Sequence, residues 1–198
     1  MDTVWNTHGT IQYLPRGKMQ ALTFWKTITM DQSNLLENLI SLLNEQGIRF
    51  CVIGGQAVNA YVEPLVSLDL DLVVAVEQLE QVVALFEPRF DLKRIPHSLN
   101  ISSAGSDLRV QIQTDERYAP FVERAARREV LGLVLPIAGI EDVLQGKIWA
   151  ALDPERRGSK RQKDLADISR LLEKYPGLRL KVPQEIRARL VDEESTTD

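Results

Sequence analysis

Two glycines and two aspartates set the first chemical question. Gly54-Gly55 closes the apolar run RFCVI, and Asp69 and Asp71 interrupt the next apolar run, LDLDLVVAV. Side chains alternate across a strand, so Asp69 and Asp71 share one face while Leu68, Leu70 and Leu72 take the other. Paired carboxylates repel each other and are depleted in strands, so a balancing cation is the chemistry such a pair suggests. Mg²⁺ fits the donor type, because it takes oxygen ligands from one or two carboxylates together with nucleotide phosphates. A half-exposed strand end is the plainer alternative. Glycine where a strand turns into a helix lets a phosphate approach backbone N–H groups at the helix start. It also suits a tight packing turn, and neither the lysine and spacing of a P-loop nor a third dinucleotide-fingerprint glycine is present.

The elements that must position these groups follow from periodicity. Residues 1–29 show no clean period and read as a lead segment, expected to be flexible. Asp31 to Gln46 repeats apolar residues at helical spacing and stops at Gly47. RFCVI is a strand, QAVNAYVEP a helix ended by Pro64, LDLDLVVAV a second strand, and EQLEQVVALFE an amphipathic helix. FDLKRIP, SLNISS and LRVQIQT read as three further strands, with Gly105 and Ser106 in a turn. Beyond Asp115 the character changes: FVERAARREV and a short apolar LVLPI precede IEDVLQGKIWAALD, a helix with Leu144, Ile148 and Leu152 on one stripe. PERRGS links it to KRQKDLADISRLLEKY, whose Leu165, Ile168, Leu171 and Leu172 form the next apolar face. PQEIRARLVDEE is expected as a last helix before a frayed acidic tail. The expected organisation is an α+β protein: a lead over 1–29, a small mixed β-sheet domain with flanking helices over 30–137, and a helical C-terminal subdomain over 138–198.

Composition narrows the function classes. With 198 residues and 44% hydrophobic content the chain can bury a sizeable core. No run approaches the roughly 18 apolar residues of a membrane span, and the start lacks a cationic then apolar leader, so a cytoplasmic protein without membrane contact is expected. The single Cys51 excludes an internal disulfide framework and reads as a buried core thiol, and two histidines leave little for zinc. Net charge is −4, yet between Arg156 and Arg189 eleven Lys or Arg face four acids. Such a run either faces an anion or solvates a helical surface.

The order GGQA, then SLDLD, then RQKDLADI resembles the nucleotidyltransferase superfamily of DNA polymerase β type, and within it the AbiEii-like toxins and minimal nucleotidyltransferases; the likeness covers about Leu35 to Tyr175. It implies a small mixed sheet with flanking helices, Mg²⁺ and a nucleoside triphosphate at the GG and D-x-D elements, and a helical unit closing the cleft. By that resemblance Gly54 and Gly55 hold the triphosphate, Asp69 and Asp71 ligate Mg²⁺, and Ser67 takes the place of a threonine or serine common before the carboxylates. Arg161, Lys163, Asp164 and Asp167 match a R-x-K-D-x-x-D pattern that puts the basic residues near the phosphates and an aspartate near the site, and Lys147 matches a lysine often found in the preceding helix. Read without the resemblance, Lys163 and Asp167 form an i, i+4 surface ion pair.

Two departures stand out. The superfamily's third carboxylate normally lies on a neighbouring strand, and in LRVQIQT the matching position is Gln111, which ligates a metal weakly and accepts no proton. Asp107 and Asp115 are substitutes if the register differs, and Leu65 stands where many relatives have an arginine. The reading is nucleotidyl transfer from a nucleoside triphosphate to an acceptor hydroxyl on an RNA 3′ end such as tRNA, a protein or a small molecule, in a toxin with a cognate antitoxin. The alternative is a catalytically degenerate nucleotide-binding or protein-interaction relative of the same fold.

Overall fold

The computed structural model describes residues 3–5, 11–13 and 16–190, side chains from residue 22 onward. The acidic tail expected beyond residue 190 and much of the expected lead lie outside the described residues. Strands β1 (Thr3–Trp5) and β2 (Ile11–Tyr13) pair as an antiparallel ribbon. Helix α1 (Arg16–Ile28) lies within the segment expected as a lead. Its Trp25 is buried, and the indole Nε1 donates to the Ser67 carbonyl at 3.1 Å. Leu22 and Ile28 also pack on the core and Lys26 pairs with Glu37 of the next helix, so the docking rests on tertiary contacts rather than on a clean period.

Asp31 then caps α2 (Leu35–Glu45), accepting from the Leu35 N–H at 2.9 Å, and the helix buries Leu35, Leu36, Leu39, Ile40 and Leu43 on one stripe. Gly47, at φ +61°, ends the segment as the sequence predicts. Strand β3 (Phe50–Ile53) is buried along its whole length and leads into the short α3 (Gly54–Asn59). β4 (Asp69–Val74) follows, then α4 (Leu79–Phe86).

β5 (Asp91–Ile95), β6 (Ser98–Ser102) and β7 (Arg109–Gln113) form the expected run of three strands. β8 (Ala126–Val130) and β9 (Leu133–Ile137) pair as a hairpin. The chain then runs through α5 (Ile140–Leu152), α6 (Gly158–Lys174) and a last helix α7 (Gln184–Arg187), shorter than expected.

The seven-stranded sheet has the order β5-β6-β7-β4-β3-β9-β8. It is mixed: β4 pairs parallel to β7 and β3 parallel to β9, while β3 and β4 run antiparallel. β3 and β4 therefore occupy the centre, the place where continuous apolar runs are fully covered. Leu70 and Leu72 point into the core with no exposure, and Val73, Val74 and Ala75 extend the burial to both faces. Cys51 is likewise enclosed, and burial pushes its thiol up to about 12, leaving an inert core residue. One hydrophobic cluster joins α1 and α2 through the sheet to α5, α6 and Ile186 of α7.

Candidate active site

At the end of β3 the chain turns with Gly54 at φ +65°, a conformation L-residues rarely adopt. A Cβ there would collide with the Asp71 carboxylate, lying 2.9 Å from its Cγ. Glycine at 54 is thus required twice, by the backbone and by the aspartate against it. Gly55 differs, since a Cβ would make ordinary contacts with Ser67 Oγ at 3.7 Å and Lys163 Nζ at 3.9 Å. What its bare backbone provides is room in front of two polar groups. The helix that follows has only six residues, so the elbow offers N–H donors with little macrodipole behind them.

Register places the carboxylates beside this elbow. Ile53 pairs with Asp71 across β3 and β4, and Asp71 pairs with Gln111 across β4 and β7. Gln111 pairs with Asn100, and Asn100 with Lys93, so one row crosses the sheet from the glycine elbow to β5. Asp69 lies two residues from Asp71 on the same face, where Lys160 Nζ donates to its Oδ2 at 3.1 Å and Arg109 stands 3.7 Å from its Oδ1. Asp71 has no such partner among the described residues. Burial pushes its carboxyl up, Lys147 opposes that, and the neighbouring Asp69 adds to it. An acid in this position favours an arriving cation. The two carboxylates fit a hard divalent ion with oxygen ligands, while no cluster of three or more His, Cys, Asp or Glu suited to a metal occurs among the described residues.

The opposite wall comes from α5 and α6. Helical spacing puts Lys160, Lys163, Asp164 and Asp167 on one stripe of α6, and Val143, Gly146, Lys147 and Ala150 on one stripe of α5. Lys163 crosses to Ser67, donating to Oγ at 3.3 Å, while the Ser67 carbonyl is held by Trp25 and Gln56. Lys147, 7% exposed, lies between Asp164 at 3.0 Å and Asp167 at 2.7 Å. Arg156 completes Asp164 at 2.7 Å, and Arg170 completes Asp167 at 2.8 Å. Burial alone would pull the Lys147 ammonium down, yet the Asp167 and Asp164 carboxylates hold it above its ordinary value. Lys147 is a permanent cation, unsuited to act as a base. Between the two walls lies a cleft of about 450 Å³, with Tyr118 and Phe121 at its inner end.

Against this geometry, residues 43–195 match the family described as nucleotidyl transferase AbiEii toxin, type IV toxin–antitoxin system. The chain belongs to the AbiEii family. The family model spans most of the chain, and the cleft lies within it. The solution structure of the antibiotic-resistance factor ANT(2'')-Ia is similar to this AbiEii-family fold, with a TM-score of 0.56 and 14% identity over 80% of this chain and 90% of that one. The crystal structure of ANT(2'')-Ia in complex with adenylyl-2''-tobramycin has a TM-score of 0.55 and 14% identity, covering 80% of this chain and 95% of that one. At this identity the likeness is one of fold. No curated protein matches the sequence.

Of the residues singled out from sequence, Gly54, Gly55, Ser67, Asp69, Asp71, Gln111, Lys147, Lys163 and Asp164 all line the one cleft. Arg161 does not. One position round from Lys160 on α6, it turns to the α5–α6 link and donates to the Asp153 carbonyl at 2.8 Å, which corrects its expected place among the phosphate-facing residues. Asp164 faces the cleft, but Lys147 and Arg156 engage both of its oxygens, so it acts as a counter-ion rather than as a free carboxylate. Asp167 pairs with Lys147 and Arg170, not with Lys163 as an intrahelical pair would.

The register also shows what stands next to Asp71 on β7. Gln111 sits directly beside Asp71, while Asp115 is taken up by Arg117 and Asp107 binds through its backbone to Thr29. Leu65 is 58% exposed and does not line the cleft, its backbone gripped on both sides by the Asn59 amide. Sequence reasoning missed Lys160, Arg156, Lys93 and Asn100. The first was detectable, since K-x-x-K-D is one helical stripe; Lys93 and Asn100 needed the hairpin register.

Proposed function

We propose that this AbiEii-family chain transfers a nucleoside monophosphate from a nucleoside triphosphate to an acceptor hydroxyl, with Mg²⁺ held by Asp69 and Asp71. The observation that carries the reading is the placement of these two same-face carboxylates against the Gly54 elbow, with Lys163 and Lys160 across the cleft. The metal, when bound, neutralises phosphate charge and orients the triphosphate. Gly54 and Gly55 let the phosphates approach the backbone, Ser67 and Lys163 bind them from the side, and the cluster of Lys147, Arg156 and Arg170 with Asp164 and Asp167 keeps one positive charge in excess.

In the reaction the acceptor oxygen forms a bond to the α-phosphorus, the bond to the bridging oxygen breaks, and pyrophosphate leaves. The hydroxyl proton passes to the Asp69–Asp71 pair or to solvent, because Gln111 takes none. The charge of the walls bears on the acceptor. Lys93 and Arg109 lie beyond the aspartates, and Asp142 and Asp164 are neutralised by Arg124 and by Lys147 with Arg156. That balance favours an anionic acceptor such as an RNA 3′ end, tRNA among them, over a polycationic small molecule. A cognate antitoxin is the partner that the family membership implies. No helix among the described residues is long and apolar enough to cross a membrane.

One observation favours the second reading, a nucleotide-binding relative without turnover: Gln111 in place of a carboxylate. Incubation with each radiolabelled triphosphate, Mg²⁺ and total tRNA separates the two. Label transfer that disappears in Asp69→Ala and in Asp71→Ala is the expected outcome. Nucleotide binding without transfer to any acceptor would leave the degenerate reading standing.

A further inference from the structure

Lys160 is the one α6 cation that touches a β4 carboxylate. Its Nζ lies 3.1 Å from Asp69 Oδ2, an ion pair that spans the cleft from the helical wall to the sheet. Asp69 is therefore already neutralised in the free chain, while Asp71 takes no hydrogen bond among the described residues. A divalent ion shared by the two carboxylates needs an Asp69 oxygen at about 2.1 Å, in space that the ammonium now crowds. Two cations a few ångströms apart repel strongly enough to weaken binding by an order of magnitude even at high effective dielectric.

We propose that Lys160 is a placeholder cation. It occupies Asp69 until a metal–triphosphate complex arrives, and then moves from the carboxylate to the phosphates. This rests on the reading of Asp69 and Asp71 as the cation site. The side chain is suited to the exchange: it is flexible, 36% exposed, and carried one turn before Lys163, with Arg156 and Arg157 close by on the same wall. A bare ion must evict the ammonium with no anion to receive it. An ion that arrives on a triphosphate brings the receiving anion with it. Lys160 is on this account a positioning residue that makes the chain discriminate against the free ion and in favour of the nucleotide complex, a coupling between two ligands of one site.

The test is calorimetric and needs no turnover. The full chain is titrated with Mn²⁺ alone, with α,β-methylene-ATP in chelator, and with the preformed Mn²⁺ complex of that analogue. In Lys160→Met, bare Mn²⁺ is expected to bind about tenfold tighter than in wild type. The analogue, alone or complexed, should bind several-fold weaker. Lys160→Arg should keep the wild-type pattern, and Lys174→Met, which removes the same charge at the far end of α6, should change neither affinity. Opposite shifts for ion and nucleotide are a signature that simple loss of structure does not give. Bare-ion affinity that stays or falls in Lys160→Met, with melting unchanged, overturns the placeholder role and leaves the cation site intact. The same shifts in Lys174→Met would reduce the effect to net charge and overturn it as well. Wild type that binds neither Mn²⁺ nor analogue removes the cation-site reading together with this one.

Discussion

Asp71 and Gly54 are one unit at the scale of the residue. Gly54→Ala forces a side chain into the left-handed region and against the Asp71 carboxylate. The expected cost is about 1–3 kcal/mol in urea unfolding, with nucleotide affinity lost even in variant that is still folded. Asp71 itself works against stability, since burial raises its folded value above that of the unfolded chain, ordinarily 3.8. In the window above 3.8 the folded state holds the proton more firmly, so the stability contribution of this group falls as pH rises through it. Asp71→Asn should therefore melt higher than wild type at pH 7.5, and the gain should shrink as pH drops toward 4. A variant that melts lower at neutral pH would show that Asp71 is stabilised where it stands. An acid kept at a cost in stability is what a binding site retains.

At the scale of the element, α5 and α6 are joined by a charged seam. Lys147→Met leaves Asp164 with Arg156 and Asp167 with Arg170, but removes the cation the two share. Breaking a buried pair from one side costs about 3–5 kcal/mol, to be read as a shift of the denaturant midpoint. A cost under 1 kcal/mol would mean that the two arginines suffice. This seam also shows what the chain reveals before it folds. The strands β3 to β7 were legible because their apolar alternation and glycine breaks are local, and with them the shared face of Asp69 and Asp71. The network around Lys147 was not, since it depends on a crossing between two helices, and local spacing suggested a Lys163–Asp167 pair instead. α1 was missed for the same reason: its contacts are non-local, among them an indole bonded to a carbonyl forty-two residues away and the Lys26–Glu37 ion pair. The β8–β9 hairpin is set by Leu131 at φ +57° and Gly132 at φ +75°, a turn that the sequence analysis left unread.

At the scale of the whole molecule, sheet and helices share one hydrophobic cluster, so the helical segment from residue 138 is not packed separately from the strands. Urea unfolding followed by tryptophan fluorescence and by far-UV circular dichroism should give coincident single transitions. Trp25 reports from α1 against Ser67, and Trp149 from α5 against Tyr118 and Phe121. Two resolved steps would assign α5 and α6 to an independently folding unit. Mg²⁺ with a triphosphate should raise the midpoint in wild type. The Ala138 amide donates to the Val52 carbonyl at 3.0 Å, so the strand that feeds the glycine elbow is completed only by residues from far along the chain. During synthesis the strand that carries Asp69 and Asp71 emerges first, and the lysines of α5 and α6 follow more than seventy residues later. A chain halted short of residue 147 carries Asp69 and Asp71 with none of the α5 and α6 cations that face them, so the charges across the cleft are balanced only once both helices are made.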